Sequence, residues 1–124
     1  MPAKVADASV LGALLFQEPR SNEAATKLRG ADLFAPSLLP YELASIARKK
    51  VLKYPRKRRQ ILEALRLAMS MDINYSDTDQ TETTMLALDT GLTTYDAAYL
   101  WLARSLGAEL LSFDQRLLAA ATGE

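Results

Sequence analysis

The sequence contains no histidine and no cysteine. Without histidine it cannot form a Ser-His-Asp triad or the histidine pair of metal-free ribonucleases, and nearly all zinc sites are excluded. Without cysteine it has neither disulfides nor thiolate chemistry, which suits a reducing, cytoplasmic location. If this chain is an enzyme that works near neutral pH, carboxylates with a hard metal ion are the main catalytic groups that remain available to it.

Long apolar runs and a net charge are also missing. The chain has no stretch of about 18 apolar residues and no opening signal-peptide pattern, so we expect no membrane segment. Its 124 residues, 49% of them apolar, predict one globular domain over residues 1–124. The 15 basic and 15 acidic residues cancel, so the overall charge indicates no particular partner.

The positive charge is nevertheless unevenly distributed. No acid occurs between Glu42 and Glu63. That interval contains Arg48, Lys49, Lys50, Lys53, Arg56, Lys57, Arg58 and Arg59. Three interpretations are open: a solvated helix face, a patch for a nucleic-acid backbone, and a docking surface for an acidic partner.

Short apolar strands alternate with amphipathic helices along the chain. We predict strands over residues 3–7, 32–35, 72–75 and 108–112. We predict helices over residues 8–17, 39–53, 56–70 and 95–106, two more that Ser21 and Asp77 cap, and a short last helix. Met69, Met71 and Met85 are expected in the core, and Tyr95, Tyr99 and Trp101 in the core or a dimer interface. The alternation predicts an α/β fold whose parallel sheet has helices on both faces.

Four acids lie beside apolar stretches. Asp7 and Asp114 close the first and last strands, while Asp96 and Glu42 open helices. Taken singly, each acid could be a helix cap, a partner of a helix dipole or an exposed side chain. Parallel sheets bind ligands beyond the carboxyl ends of their strands, and carboxylates that converge there repel one another unless a cation lies between them. The pattern therefore predicts a divalent metal site.

Four segments together resemble one known family. They are VADAS at 5–9, PSLLPYELA at 36–44, GLTTYDAAYLWLA at 91–103 and LGAELLSFDQRL at 106–117. In this order and spacing the chain resembles the PIN-domain nucleases, and specifically the small VapC-type toxins of toxin–antitoxin pairs. Ser112 stands where that family often has threonine, and it keeps the hydroxyl.

The resemblance implies a PIN-like three-layer α/β/α sandwich and an endoribonuclease that depends on Mg²⁺ or Mn²⁺. It implies a metal-binding and catalytic quartet of Asp7, Glu42, Asp96 and Asp114, with Ser9 and Ser112 as neighbouring hydroxyls that could orient a ligand or water. It also implies a homodimer that a cognate VapB-like antitoxin inhibits. The residues expected to contact RNA are Arg48, Lys49, Lys53, Arg56, Lys57, Arg58 and Arg59.

Other classes fit less well. A receiver domain would need a lysine after the last strand, where Gln115 follows Asp114. A haloacid-dehalogenase-like phosphatase would need an acid at the position of Ser9. The alternatives kept beside the ribonuclease are a non-catalytic PIN-fold protein that binds RNA or a partner, and a nuclease that acts on DNA.

Overall fold

Four short strands form a sheet at the centre of the structure, a computed structural model that describes residues 1–123. The strands are β1 (Ala3–Ala6), β2 (Asp32–Pro36), β3 (Asn74–Ser76) and β4 (Glu109–Leu111). The helices are α1 (Ala8–Leu15), α2 (Ser21–Leu28), α3 (Leu39–Lys53), α4 (Arg58–Met69), α5 (Gln80–Thr90), α6 (Thr94–Leu106) and α7 (Gln115–Thr122). A 3₁₀ turn, Pro55–Lys57, joins α3 to α4.

All the strand pairs of this sheet are parallel, and the strand order is β3-β2-β1-β4. Val5 of β1 lies opposite Phe34 of β2 on one side and Leu110 of β4 on the other. The chain thus places β2 and β3 on one side of β1 and returns to place β4 on the other side. The carboxyl ends of β1 and β4 therefore flank a topological switch point, where such sheets bind ligands.

Helices cover both faces of the sheet. Right-handed crossovers place α1 to α4 on one face and α5 and α6 on the other. The packing agrees, because α1 contacts α2, α3 and α4, whereas α6 contacts α5, β1, β2 and β4. The predicted α/β/α sandwich around a central parallel sheet is confirmed.

The core between these layers is mainly aliphatic. Val5, Leu11 and Leu100 come from a strand and from the helices of opposite faces, and each is at most 1% exposed. Burying a side chain of this size contributes about 1.5 to 3 kcal/mol. Tyr99, also 1% exposed, is the bulkiest side chain buried to this degree in residues 1–123. None of the helices described is long and apolar enough to cross a membrane.

Most helix ends fall where local sequence signals predict them. α3 spans residues 39–53 as expected, with Pro40 in its first turn, where the missing amide hydrogen costs no helical hydrogen bond. Gly91 and Gly107 end α5 and α6 with φ angles of 77° and 60°. Glycine adopts this left-handed conformation without the steric cost that other residues incur.

The predicted cap of α2 is wrong. Ser21 is the first helical residue, and Arg20 occupies the cap position without a capping side-chain hydrogen bond. The helix starts one residue earlier than predicted, because the carbonyl of Arg20 already accepts a hydrogen bond from the amide of Ala24 at 2.9 Å.

The predicted cap of α5 is also wrong. Asp79, not Asp77, caps this helix and accepts a hydrogen bond from the amide of Glu82 at 2.9 Å. The carboxylate of Asp77 instead accepts a hydrogen bond from Ser37 Oγ at 2.7 Å. Asp77 therefore ties the loop after β3 to the loop after β2.

Two of the three methionines expected in the core lie at the surface. Met69 is 50% exposed and Met85 is 58% exposed, while Met71 is partly buried against the core. In α5 the buried positions are Thr83 and Ala87, which share one helix face. Met85 projects from another face of α5 and is exposed, although it is apolar.

Candidate metal and active site

Asp7 lies at the carboxyl end of β1 and is only 6% exposed. It caps α1, because its Oδ1 accepts hydrogen bonds from the amides of Ser9 at 3.1 Å and Val10 at 3.2 Å. The hydroxyl of Ser9 also donates to Oδ1 at 2.6 Å, and that of Ser112 donates to Oδ2 at 2.5 Å. Burial raises the pKa of Asp7, although these hydrogen bonds act in the opposite direction. The fold therefore holds one fixed carboxylate at a position that disfavours its charge.

The two serines join Asp7 to the loop after β4. Ser9 Oγ accepts a hydrogen bond from the amide of Phe113 at 2.9 Å, and Ser112 Oγ accepts one from the amide of Asp114 at 2.9 Å. Both hydroxyls donate to Asp7, so their main contacts are with the acid itself. They brace Asp7 against the segment that carries Asp114.

Asp114 and Asp96 each lie at the start of a helix. Asp114 caps α7 and accepts a hydrogen bond from the amide of Leu117 at 3.0 Å. Asp96 lies in the first turn of α6, where its amide donates to Thr93 Oγ1 at 3.1 Å. Burial raises the pKa of Asp96, and repulsion from Asp114 and then Asp7 raises it further. Asp96 therefore lies within electrostatic reach of both other acids.

Glu42, in the first turn of α3, joins the same cluster. The hydroxyl of Tyr99 donates to Glu42 Oε1 at 2.5 Å. Burial raises the pKa of Glu42, the Tyr99 hydrogen bond lowers it, and repulsion from Asp96 and Asp7 raises it again. Sequence reasoning placed Glu42 least directly, and the structure brings it within electrostatic reach of Asp96 and Asp7.

Sequence reasoning missed the link between Tyr99 and Glu42. The available signal was the spacing of Asp96 and Tyr99, which are three residues apart and so share one face of α6. A second signal is chemical, because a buried tyrosine hydroxyl usually finds a hydrogen-bond partner. Neither signal identifies that partner, which belongs to a different helix.

The four acids suit a hard divalent cation by their chemistry. All their donor atoms are oxygen, which Mg²⁺ and Mn²⁺ prefer. Asp7, Glu42 and Asp96 have raised pKa values and repel one another, so a cation among them would relieve that repulsion. In residues 1–123, no three acids lie close enough together to ligate one metal ion directly. Mg²⁺ usually keeps several of its waters, so one or two of these carboxylates together with water would suffice to hold it.

The basic segment predicted to contact RNA begins in the middle of α3 and extends away from Glu42. α1 and α3 lie side by side, and a Cβ on Gly12 would stand 3.4 Å from Ile46 Cδ1. Farther along, Lys50 pairs with Glu18 at 3.0 Å. Glu42 and Lys53 are eleven residues apart in α3. At about 1.5 Å per helical residue, they are separated by about 16 Å along the helix axis. Lys53 and residues 56–59 therefore lie at or beyond the opposite end of α3 from Glu42, whereas Arg48 is only about 9 Å from it along the helix axis.

That end of the molecule has its own groove. It has a volume of about 630 Å³, and Phe16, Tyr54, Lys57 and Arg59 are among its lining residues. Within the described residues, none of the seven cations predicted to contact RNA has a carboxylate within 4.0 Å. These seven cations therefore form a surface without direct acidic partners, although Lys50 beside them pairs with Glu18 and Glu63 lines the same groove.

Comparison with known proteins identifies the family. The sequence pattern of the PIN domain matches residues 4–123. The chain therefore belongs to the PIN-domain family. Its predicted likeness to VapC-type members is also confirmed. It is 31% identical over 118 residues to ribonuclease VapC3 of Pyrobaculum aerophilum, covering 91% of this chain and 90% of that protein.

Solved structures show the same fold. The crystal structure of PAE2754 from Pyrobaculum aerophilum superposes with a TM-score of 0.80 at 28% identity, over 98% of this chain and 87% of that one. VapC20 of Mycobacterium tuberculosis, a toxin that cleaves the sarcin–ricin loop, superposes with a TM-score of 0.67 over 94% of both chains. At 13% identity this second likeness concerns the fold alone.

Proposed function

We propose that this chain, acting as a single PIN domain over residues 1–124, is a VapC-type toxin that hydrolyses RNA internally with the help of Mg²⁺ or Mn²⁺. The observation that carries the proposal is Asp7, a buried carboxylate with repelling acids around it. Acids that repel one another in a partly buried cluster destabilise the fold, and such clusters concentrate at functional sites. The kinship with ribonuclease VapC3 supports RNA as the substrate.

In this proposal Asp7, Glu42, Asp96 and Asp114 hold the cation. When bound, the cation supplies Lewis-acid activation of water and stabilises negative charge on the phosphate. Asp7 is the central ligand, because its hydrogen bonds fix both of its oxygens. Asp96 and Asp114 support it, and Glu42 serves as a ligand or as the base that takes a proton from the attacking water.

The reaction is hydrolysis by water, without the ribose 2′-hydroxyl as nucleophile. The water oxygen forms a bond to phosphorus, and the bond from phosphorus to the 3′ oxygen breaks. The 3′ oxygen takes up a proton. The products then carry a 5′-phosphate and a 3′-hydroxyl, which distinguishes this reaction from histidine-based ribonuclease cleavage.

The basic segment binds the RNA backbone in this proposal, at a distance from the site of cleavage. This role is supported by the lack of acidic partners for these cations. Because they are not already paired, they can neutralise phosphates at little electrostatic cost. A chain bound at both places would extend along the length of α3. The cations for this role are Arg48, Lys49, Lys53, Arg56, Lys57, Arg58 and Arg59.

Three further properties belong to the same proposal: homodimerisation, inhibition by a VapB-like antitoxin, and a cytoplasmic location. Support for the dimer comes from α5, where Met85 and Leu88 lie three residues apart and are 58% and 80% exposed. Apolar side chains this exposed on one helix favour contact with another surface.

The test is cleavage of a total RNA pool by the purified chain, free of any partner. The reactions contain Mg²⁺, Mn²⁺ or EDTA, and the variants are Asp7→Asn and the matched control Asp72→Asn at an exposed acid outside the cluster. We expect metal-dependent fragments with 5′-phosphate ends from the wild type and the control, and none from Asp7→Asn. Equal cleavage by Asp7→Asn would refute the assigned site.

The same experiment separates the alternatives. A folded chain that binds metal and RNA without cutting would be a non-catalytic PIN-fold protein. Preferred cleavage of DNA at the same ionic strength would identify a DNA nuclease.

A further inference from the structure

Tyr99 makes a contact that its place in the core does not require. It is 1% exposed, and its ring packs with the buried residues of the sandwich. Its hydroxyl donates to Glu42 Oε1 at 2.5 Å, across 57 positions of sequence. A phenylalanine would fill the same volume, so the hydroxyl contributes only this hydrogen bond.

We propose that Tyr99 is a positioning residue that orients Glu42 for metal binding. The inference rests on the proposed function, since it concerns the same acidic site. Tyr99 itself touches no reacting atom and acts only through the carboxylate that it holds.

The geometry gives Glu42 two unlike oxygens. Oε1 accepts the hydrogen bond of Tyr99, and in the part of the chain described here Oε2 has no protein donor. A glutamate side chain has three rotatable bonds, and holding one oxygen restricts them. Oε2 is then left for a cation or a water molecule. This resembles metal sites in general, where partners of the ligands fix ligand orientation.

One helix thereby controls two members of the quartet. α6 carries Asp96 in its first turn and presents Tyr99 three residues later on the same face. α3 carries Glu42 and lies on the other face of the sheet. The hydrogen bond between Tyr99 and Glu42 therefore ties the two helical layers together beside the acids.

The test is Mn²⁺ binding by the full chain without RNA, measured by calorimetry for the wild type, Tyr99→Phe, Glu42→Gln and the double variant. Removing a partner that orients a metal ligand usually weakens metal affinity by about 10-fold to 100-fold. We expect a loss of this size in Tyr99→Phe. We expect no further loss when Tyr99→Phe is added to Glu42→Gln, because the hydroxyl acts only through that carboxylate.

Tyr95→Phe is the matched control. Tyr95 lies on the same helix, is 64% exposed, and its hydroxyl has no hydrogen-bond partner in the described residues. Its Mn²⁺ affinity should equal that of the wild type, and urea denaturation should find all of these variants folded.

Two outcomes would overturn the inference and can be told apart. Wild-type affinity in Tyr99→Phe, or an equal loss in both backgrounds, would overturn the role of Tyr99 and leave the metal site intact. A wild-type chain that binds no Mn²⁺ would overturn the proposed function and this inference with it.

Discussion

Replacing Asp7 by asparagine and by alanine separates its charge from its hydrogen bonds. Asparagine keeps Oδ1, which accepts from the two amides of the α1 cap and from Ser9 Oγ. Its Nδ2 takes the place of Oδ2, so the hydroxyl of Ser112 must change from donor to acceptor. Ser112 Oγ already accepts from the amide of Asp114, and a hydroxyl has two lone pairs, so it can accept both hydrogen bonds.

The two substitutions should therefore differ in stability when metal is absent. Asp7→Asn removes a buried charge and its repulsion from Glu42 and Asp96 and keeps the hydrogen bonds to Oδ1, which together offset the acceptor that the hydroxyl hydrogen of Ser112 loses. We expect its free energy of unfolding at neutral pH to stay within about 1 kcal/mol of the wild type or to exceed it.

Asp7→Ala loses the helix cap, at about 1 kcal/mol, and leaves the buried donors of Ser9 and Ser112 without a partner, at about 1 to 3 kcal/mol each. Relief of the charge offsets part of this. We expect a net loss of about 2 to 3 kcal/mol.

The assay is urea denaturation in EDTA, followed by circular dichroism, with Asp72→Asn as the exposed control. Adding Mn²⁺ at about 100 times its dissociation constant should stabilise the wild type and the control by about 2.7 kcal/mol and leave both Asp7 variants unchanged. If Asp7→Asn proves as unstable as Asp7→Ala in EDTA, the buried charge of Asp7 does not destabilise the metal-free fold.

The placement of charged and apolar groups also affects stability, RNA binding and association. Burial raises the pKa of Asp7, Glu42 and Asp96 above their unfolded values, so the folded chain binds more protons. In EDTA its free energy of unfolding should therefore rise as the pH falls from neutral toward the ordinary carboxyl pKa of about 4, with a shallower slope in Asp7→Asn; a slope of opposite sign would contradict this. Replacing the four cations of residues 56–59 with serine should weaken RNA binding and flatten its salt dependence, as measured by fluorescence anisotropy, and unchanged binding would make the segment a solvated or partner surface. Leu88→Glu should shift a dimer toward monomer in sedimentation, and an unaltered dimer would exclude this face of α5.

Local sequence determined most of the elements, because their signals are local. The alternation of apolar strands and amphipathic helices predicted the parallel sandwich, and Gly91 and Gly107, which favour the left-handed conformation, end α5 and α6. Asp7 and Asp114 follow directly from strand ends, so the topology of a parallel sheet brings them to one edge. The resemblance to VapC-type PIN domains added Glu42, which spacing alone placed least directly.

Local sequence signals did not predict the structure where two side chains could fill the same role, or where two faces of a helix could be buried. Asp77 and Asp79 are equally good caps by composition, and the choice depends on the contact of Asp77 with Ser37, 40 positions earlier. Met85 is apolar, but α5 buries Thr83 and Ala87 instead. One helix carries Glu42 and Lys53, but its length holds them about 16 Å apart.

By itself the sequence thus determined the order of the elements, the parallel sandwich and the types of acid at its carboxyl edge. Only the tertiary structure decided how those acids are held. Ser112 reaches Asp7 across 105 positions and Tyr99 reaches Glu42 across 57. Helical and strand periodicities extend over a few residues, whereas these hydrogen bonds exist only once separate helices and strands have packed together.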